Sequence, residues 1–141
     1  MTRYLLDTNI VRDATKPSPS PALATWLSER DDLDLFIAAF TVAEIKRGIV
    51  EAPAGRKRRE LEVWFDGDEG PAALFAGRIL AFDVKAALEW ARLMSEGKRS
   101  GRSRDGFDMI IAATGTANNC VVVTDNERDF RGLATLNPLR G

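Results

Sequence analysis

Histidine is absent from this chain of 141 residues, and cysteine occurs once, as Cys120. A lone cysteine can form neither an internal disulfide nor a thiolate zinc site. The lack of histidine excludes Ser-His-Asp and Cys-His catalysis, histidine-ligated metals and the histidine acid–base pair of metal-free ribonucleases. Any catalysis must therefore depend on carboxylates, hydroxyls, lysine or arginine.

Long apolar runs are also missing. No stretch approaches the ~18 consecutive apolar residues of a membrane-spanning helix, and the short apolar run before Asp7 does not have the form of a signal peptide. We therefore expect no membrane partner and a location in the reducing cytoplasm. The composition, with 45% hydrophobic and 29% charged residues, is typical of a globular protein. The length predicts a single domain over residues 1–141.

The net charge is only −1, so overall electrostatics give no sign of nucleic-acid binding. The basic residues are nevertheless unevenly distributed. "GRKRRE" (55–60) and "GKRSGRSR" (97–104) form two local basic clusters. Taken alone, such runs usually indicate nothing more than a solvated surface.

Short apolar stretches alternate with amphipathic ones, which predicts alternating strands and helices. The strands are expected near residues 3–7, 33–40, 77–83, 120–125 and 133–137. Helices are expected after the proline-rich loop 16–21 and over residues 41–52, 57–67, 84–101 and 104–118. Several strands are apolar on both faces, which favours a three-layer α/β/α domain with a mostly parallel central sheet.

Two of the predicted helices have specific local patterns. Thr41 followed by Glu44 is the capping-box pattern, with Thr41 as the N-cap. In the helix over 84–101, an apolar face is predicted from helical spacing. Its members are Val84, Leu88, Ala91 and Met94.

Acidic and amide residues fall at the predicted strand ends and helix starts, where sites form in a parallel sheet. They are Asp7, Glu44, Asp108, Asp125, Asn126 and Asp129. Structural alternatives exist: a helix cap for Asp7, a capping box for Glu44, the helix dipole for Asp108 and a turn for Asp125. Several carboxylates in one pocket would repel one another, however, and a hard cation relieves that repulsion. Oxygen ligands alone indicate Mg²⁺, with Mn²⁺ as a substitute, and phosphodiester hydrolysis as the chemistry.

Four motifs occur in a definite order: "LLDTNI" (5–10), "TVAEIKRGI" (41–49), "DMIIAAT" (108–114) and "VVVTDNERDF" (121–130). Together they resemble the PIN-domain nucleases, in particular the VapC toxins of bacterial toxin–antitoxin pairs. "LFAGRILAFD" (74–83) and "LNP" (136–138) resemble the FitB-like branch of that family. The resemblance covers essentially the whole chain. It implies a Mg²⁺- or Mn²⁺-dependent endoribonuclease that is the toxin of a type II pair and hydrolyses RNA with a metal-activated water.

The resemblance also implies roles for individual residues. Asp7, Glu44 and Asp108 would form the acidic cluster, with Asp7 and Asp108 as direct metal ligands. Glu44 would bind the ion through water or position the attacking water. The fourth family position falls on Asn126, so this chain departs from the all-acidic pattern, which leaves a second metal site open.

Further residues would support this site. Asp125 or Asp129 would supply the charge that Asn126 lacks, and the hydroxyls of Thr8 and Thr124 would orient an acid or a phosphate. The basic cluster before the Asp108 helix would contact RNA phosphates. Its members are Lys98, Arg99, Arg102 and Arg104.

The resemblance implies two protein partners, a second copy of the chain and a cognate VapB-type antitoxin. A segment of that antitoxin would occupy the acidic groove, with an arginine directed towards the carboxylates. A non-catalytic PIN-like module that binds a metal or a partner is the alternative, since Asn126 breaks the acidic pattern. A haloacid-dehalogenase-type phosphatase is disfavoured, because Thr8 and Asn9 follow Asp7 where a second aspartate would be needed. A receiver domain is disfavoured because paired early acids are missing.

Overall fold

A computed structural model describes residues 1–140 and builds them around a five-stranded sheet. The strands are β1 (Arg3–Leu6), β2 (Leu35–Ala38), β3 (Ile79–Leu80), β4 (Cys120–Val123) and β5 (Thr135–Leu136). The helices are α1 (Thr8–Ala14), α2 (Pro21–Ser28), α3 (Ala39–Glu51), α4 (Arg56–Asp66), α5 (Pro71–Leu74), α6 (Val84–Arg99) and α7 (Gly106–Ala117). None of the helices within residues 1–140 combines the length and apolarity needed to cross a bilayer.

The sheet has the strand order β3-β2-β1-β4-β5, and all of its pairings are parallel. β1 therefore lies at the centre, and the chain adds strands on one side of it before crossing to the other. This arrangement confirms the predicted α/β fold class. All five predicted strands form, each shorter than expected, because helices and turns begin before the apolar runs end.

Side chains of the central strands alternate between two faces, and helices cover both. Leu5 packs on one face with Ile111 of α7, while Leu6 packs on the other with Ile10 of α1. The first face also carries α6 and the second carries α2 and α3. The layers are therefore helix, sheet and helix, as the doubly apolar strands predicted.

The predicted apolar face of α6 is wrong for three of its four residues, because only Met94 packs against the core and a different stripe of the helix is buried. Val84 and Leu88 are 75% and 68% exposed, and Ala91 is also exposed. The buried residues of the helix are Ala86, Leu93 and Gly97. Two of these are small, and α6 faces the small-residue helix α7, whose buried positions include Ala112 and Ala113. Ala86 and Gly97 allow α6 to approach α7 closely, and Leu93 fills the core between them, so Val84 and Leu88 on the other side of the helix are left on the surface.

The predicted capping box at Thr41 is also wrong. β2 passes directly into α3 without a loop, so the helix begins two residues early, at Ala39, with Ala38 as its N-cap. Thr41 thus lies inside the first turns, and its hydroxyl is completely buried. A buried hydroxyl needs a hydrogen-bond partner, and it finds one at the functional site.

Candidate active site

The carboxyl ends of β1 and β4 are the centre of the candidate site. Leu6 of β1 is in register with Val123 of β4, so the residues that follow them, Asp7 and Thr124, are neighbours. The Thr124 hydroxyl donates to Asp7 Oδ2 at 2.9 Å. The strand order reverses between these two strands, and such switch points are where ligands bind in open parallel sheets.

Asp7 is both the N-cap of α1 and a member of the candidate site. Its Oδ1 accepts a hydrogen bond from Thr8 N at 2.8 Å, which caps α1. Only 6% of the residue is exposed. Burial raises the pKa of Asp7, the hydrogen bonds from Thr124 and Thr8 oppose that rise, and the nearby Glu44 and Asp125 charges add to it. The cap and the functional group are therefore the same carboxylate.

Glu44 reaches the site through a pair of threonines. The Thr8 hydroxyl donates to Glu44 Oε1 at 2.6 Å, and it lies 3.1 Å from the hydroxyl of Thr41. Since Thr8 has one hydroxyl hydrogen, which it gives to Glu44, Thr41 is the donor in the second bond. Sequence analysis did not assign Thr41 to the site. Its position one helical turn before Glu44 was the available signal.

Asp108 enters the site from the first turn of α7. Asp105 is the N-cap of this helix, and its carboxylate accepts hydrogen bonds from Phe107 N at 2.9 Å and Asp108 N at 3.0 Å. Desolvation, the charges of Asp105, Asp129 and Asp7, and a hydrogen bond with the Asp129 side chain raise the pKa of Asp108 to about 7. Asp108 thus faces several acids from a half-buried position.

Asn126 links the strand-end residues to Asp129. Its backbone N donates to the Thr124 hydroxyl at 3.0 Å, and its side-chain amide donates to Asp129 Oδ2. The amide NH₂ is therefore used to orient a carboxylate that contacts Asp108. Asp125 is exposed and acts on Asp7 through its charge alone.

These contacts form a hydrogen-bonded chain from Glu44 to Asp129, and together with the adjacent Asp108 we call it the carboxylate network. In order, it consists of Glu44, Thr8, Asp7, Thr124, Asn126, Asp129 and Asp108. The three acids of the predicted cluster are thus brought to one edge of the sheet. Thr41 and Asp105 support it from the sides. Cys120 begins β4 at the opposite edge and is buried there.

The network carries negative charge that no basic side chain offsets directly. Within residues 1–140, no lysine or arginine forms an ion pair with Asp7, Glu44, Asp108 or Asp129. No three acids or cysteines among the described residues are gathered closely enough to hold a metal ion unaided. Mg²⁺ typically takes one or two carboxylates and completes its shell with water. This oxygen-only donor set therefore fits a hard divalent ion.

The predicted RNA-contact residues fall into two groups. Lys98, Arg99 and Arg102 are exposed at the end of α6 and in the loop that follows. Arg104 is largely covered, and its guanidinium donates to the backbone carbonyls of Leu93 and Arg131. Its hydrogen-bonding capacity is therefore used within the protein.

Comparison with known proteins agrees with this geometry. Residues 4–136 match the PIN domain family. The chain is 35% identical to VapC ribonuclease Y4jK of Sinorhizobium fredii and 33% identical to toxin FitB of Neisseria gonorrhoeae, over 95% of this chain and 96% of each relative. The crystal structure of FitAcB from Neisseria gonorrhoeae is similar, with a TM-score of 0.86, 32% identity, and coverage of 98% of this chain and 99% of that one. The chain therefore belongs to the PIN-domain family, in the branch of the VapC-type and FitB toxins.

Proposed function

We propose that this protein is a Mg²⁺- or Mn²⁺-dependent endoribonuclease and the toxin of a type II toxin–antitoxin pair that works in the cytoplasm. The observation that carries the proposal is the carboxylate network at the switch point of the sheet, which forms no ion pair with a lysine or arginine among residues 1–140. A relative named as a VapC ribonuclease supports the reaction class. Family membership supports dependence on a divalent ion, because the family's acids recur here in order.

We assign a different role to each residue of the network. Asp7 and Asp108 would hold the ion, which when bound supplies Lewis acidity and offsets charge that develops on the phosphate. Glu44 Oε1 is held by the Thr8 hydroxyl. This bond fixes the carboxylate so that Oε2 can accept a hydrogen bond from the attacking water. Asn126 and Asp129 keep Asp108 in place.

Asn126 is the reason to consider a second function, because it occupies the position where the family pattern has an acid. Its amide turns towards Asp129 and does not add a negative charge to the network. A non-catalytic module that binds a metal or a partner would tolerate that loss. Cleavage assays separate the two functions.

We expect purified chain, free of antitoxin, to cleave structured RNAs with Mg²⁺ or Mn²⁺, and EDTA to stop the reaction. Asp7→Asn and Asp108→Asn each remove a ligand charge, so cleavage should fall by at least about 100-fold while the fold persists. Asp68→Asn, which removes an exposed carboxylate outside the network, is the matched control and should retain activity. Gel assays on a broad RNA panel measure this. A wild-type chain that leaves every RNA intact with either ion would favour the binding module.

Stability should depend on pH through Asp108. Its pKa is raised from 3.8 to about 7, so in the metal-free protein its stabilising contribution is complete below about pH 4 and is lost as the pH rises through 7. Asp108→Asn replaces the titrating carboxyl group with a neutral amide, so the stability of the variant does not fall in this way as the pH rises. The Tm of the variant minus that of wild type, measured by circular dichroism in EDTA, should therefore increase between pH 4 and pH 8.

Added Mg²⁺ should reverse the effect, raising the Tm of wild type more than that of Asp108→Asn at pH 8. Asp68→Asn should follow wild type under both conditions. A Tm difference that stays flat with pH would show that Asp108 is not crowded by the other acids.

A groove beside Glu44 suits the antitoxin segment that the family implies. It has a volume of about 290 Å³ and is bordered by Phe40, Arg47 and Phe107, of which Phe107 is 53% exposed. We expect the small protein encoded next to this gene to bind here and inhibit cleavage. Phe107→Asp should weaken inhibition by the purified antitoxin at least about tenfold, because it places a charge in the apolar contact. Val63→Asp, on α4, is the control. Unchanged inhibition of Phe107→Asp would contradict this placement.

The exposed residues Val84 and Leu88 of α6 support a homodimer. Large apolar side chains on one exposed stripe are typical of surfaces that associate. We expect wild type to be dimeric by light scattering after gel filtration, and Leu88→Glu to be monomeric because it would bury a charge at the interface. Val63→Glu, which changes another exposed apolar residue, on α4, should remain dimeric. A dimer that survives the Leu88 substitution would place the interface elsewhere.

A further inference from the structure

A groove lies directly beside the carboxylate network. It has a volume of about 730 Å³ and is formed by the loop at 100–105 and the segment at 128–132. Asp129 lies on its wall, where it accepts a hydrogen bond from the side chain of Asn126, and its charge acts on Asp108. A ligand that lies along this groove would therefore extend to Asp129 and the adjacent Asp108.

Three exposed arginines line the groove and outnumber its two carboxylates, Asp105 and Asp129. Arg102, Arg128 and Arg131 line it, and all three are exposed. None of them forms an ion pair with an acid in the described part of the chain. The planar guanidinium group matches phosphate oxygens in a two-pronged geometry. These side chains are therefore available to an anionic ligand.

Arg104 binds the two walls of the groove to each other. Its guanidinium donates to Leu93 O of α6 at 2.7 Å and to Arg131 O at 3.2 Å. Gly132 follows with a φ of 82°, a conformation that favours glycine, so the chain turns sharply after Arg131. The spacing between the opposed arginines is thus set by Arg104, which also lines the groove but is already hydrogen-bonded within the protein.

The end of α6 holds the other wall in place. Gly101 has a φ of 76°, Arg102 N donates to Gly97 O at 2.9 Å and Gly101 N donates to Lys98 O at 3.2 Å. This is the Schellman arrangement. A Cβ on Gly97 would approach Arg102 O to 2.9 Å, so only glycine allows the loop to fold so closely against the helix.

The lining indicates which part of a nucleic acid would bind. Among the described residues, those that line the groove include no aromatic side chain, which is the usual platform for a stacked base. Arg128 and Arg131 also border a second depression, of about 450 Å³, that reaches Asp125 and Asn126. A row of cationic side chains along the edge of the site, without aromatic groups, is expected to contact the sugar–phosphate backbone of a nucleic acid.

We propose that Arg102, Arg128 and Arg131 form a phosphate-binding groove that holds the RNA backbone on its approach to the carboxylate network. This inference rests on the proposed ribonuclease function and deepens it by naming the path of the strand. The guanidinium groups offset the repulsion between the RNA phosphates and the acids of the network. Binding in the groove is independent of base sequence, and target choice is made elsewhere.

Arg128→Gln, Arg131→Gln and the double variant test the groove in the full-length chain. Each lost phosphate contact should raise KM for RNA about threefold to tenfold with little change in kcat, uniformly for hairpins of unrelated sequence. The slope of log Kd against log salt concentration should fall by about 0.7 for each arginine removed. Arg59→Gln, in the exposed basic cluster of α4, is the control and should leave these quantities unchanged. Arg131→Lys keeps the charge, so it should retain the salt slope and lose part of the affinity.

The possible outcomes are distinct. Variants that bind and cleave RNA like an active wild type would overturn the groove and leave the proposed function intact. Variants that keep RNA affinity but escape inhibition by the antitoxin would make this surface a protein-binding site and overturn the proposal. A wild type that neither binds nor cleaves any RNA would remove the proposed function and the groove together. Equal Tm values for the variants and wild type confirm that folding is intact, as expected for exposed arginines.

Discussion

The hydrogen bond between Thr124 and Asp7 is the contact on which the site depends. It joins the ends of two adjacent parallel strands. It also fixes Asp7 Oδ2, so the carboxylate cannot rotate freely. Thr8 N fixes the other oxygen. A nearly buried carboxylate held by two donors keeps its position despite the neighbouring negative charges, whose repulsion it cannot escape. The remaining acids are arranged around this fixed point.

The sheet and the acids were predictable because both depend on local signals. Apolar runs of strand length with helical segments between them specify parallel pairing, and strand ends specify where Asp7 and Thr124 meet. Asp108 was found because an acid preceded a run of small apolar residues. These conclusions need only the order of elements, which the sequence carries.

The misses arose where tertiary contacts decide between local alternatives. Thr41 matched a cap pattern, but the absence of a loop after β2 moved the helix start and made its hydroxyl a partner of Thr8. Spacing alone allowed two faces for α6, and packing against α7 selected the one that carries Ala86, Leu93 and Gly97. Arg104 looked like its basic neighbours, yet two backbone carbonyls distant in sequence bind it. Such contacts cannot be read from spacing.

The two partners of the central hydrogen bond are 117 positions apart in the chain. Pairing across such a separation carries a large loop-closure cost, which the remaining contacts of the sheet must offset. During synthesis the amino-terminal half emerges from the ribosome with Asp7 and Glu44 but without the strand that orders them. A chain that terminates before Thr124 therefore lacks the hydrogen bond that holds Asp7 Oδ2. The topology therefore allows the site to assemble only after β4 has been synthesised, because Asp7 and Thr124 come from opposite ends of the chain.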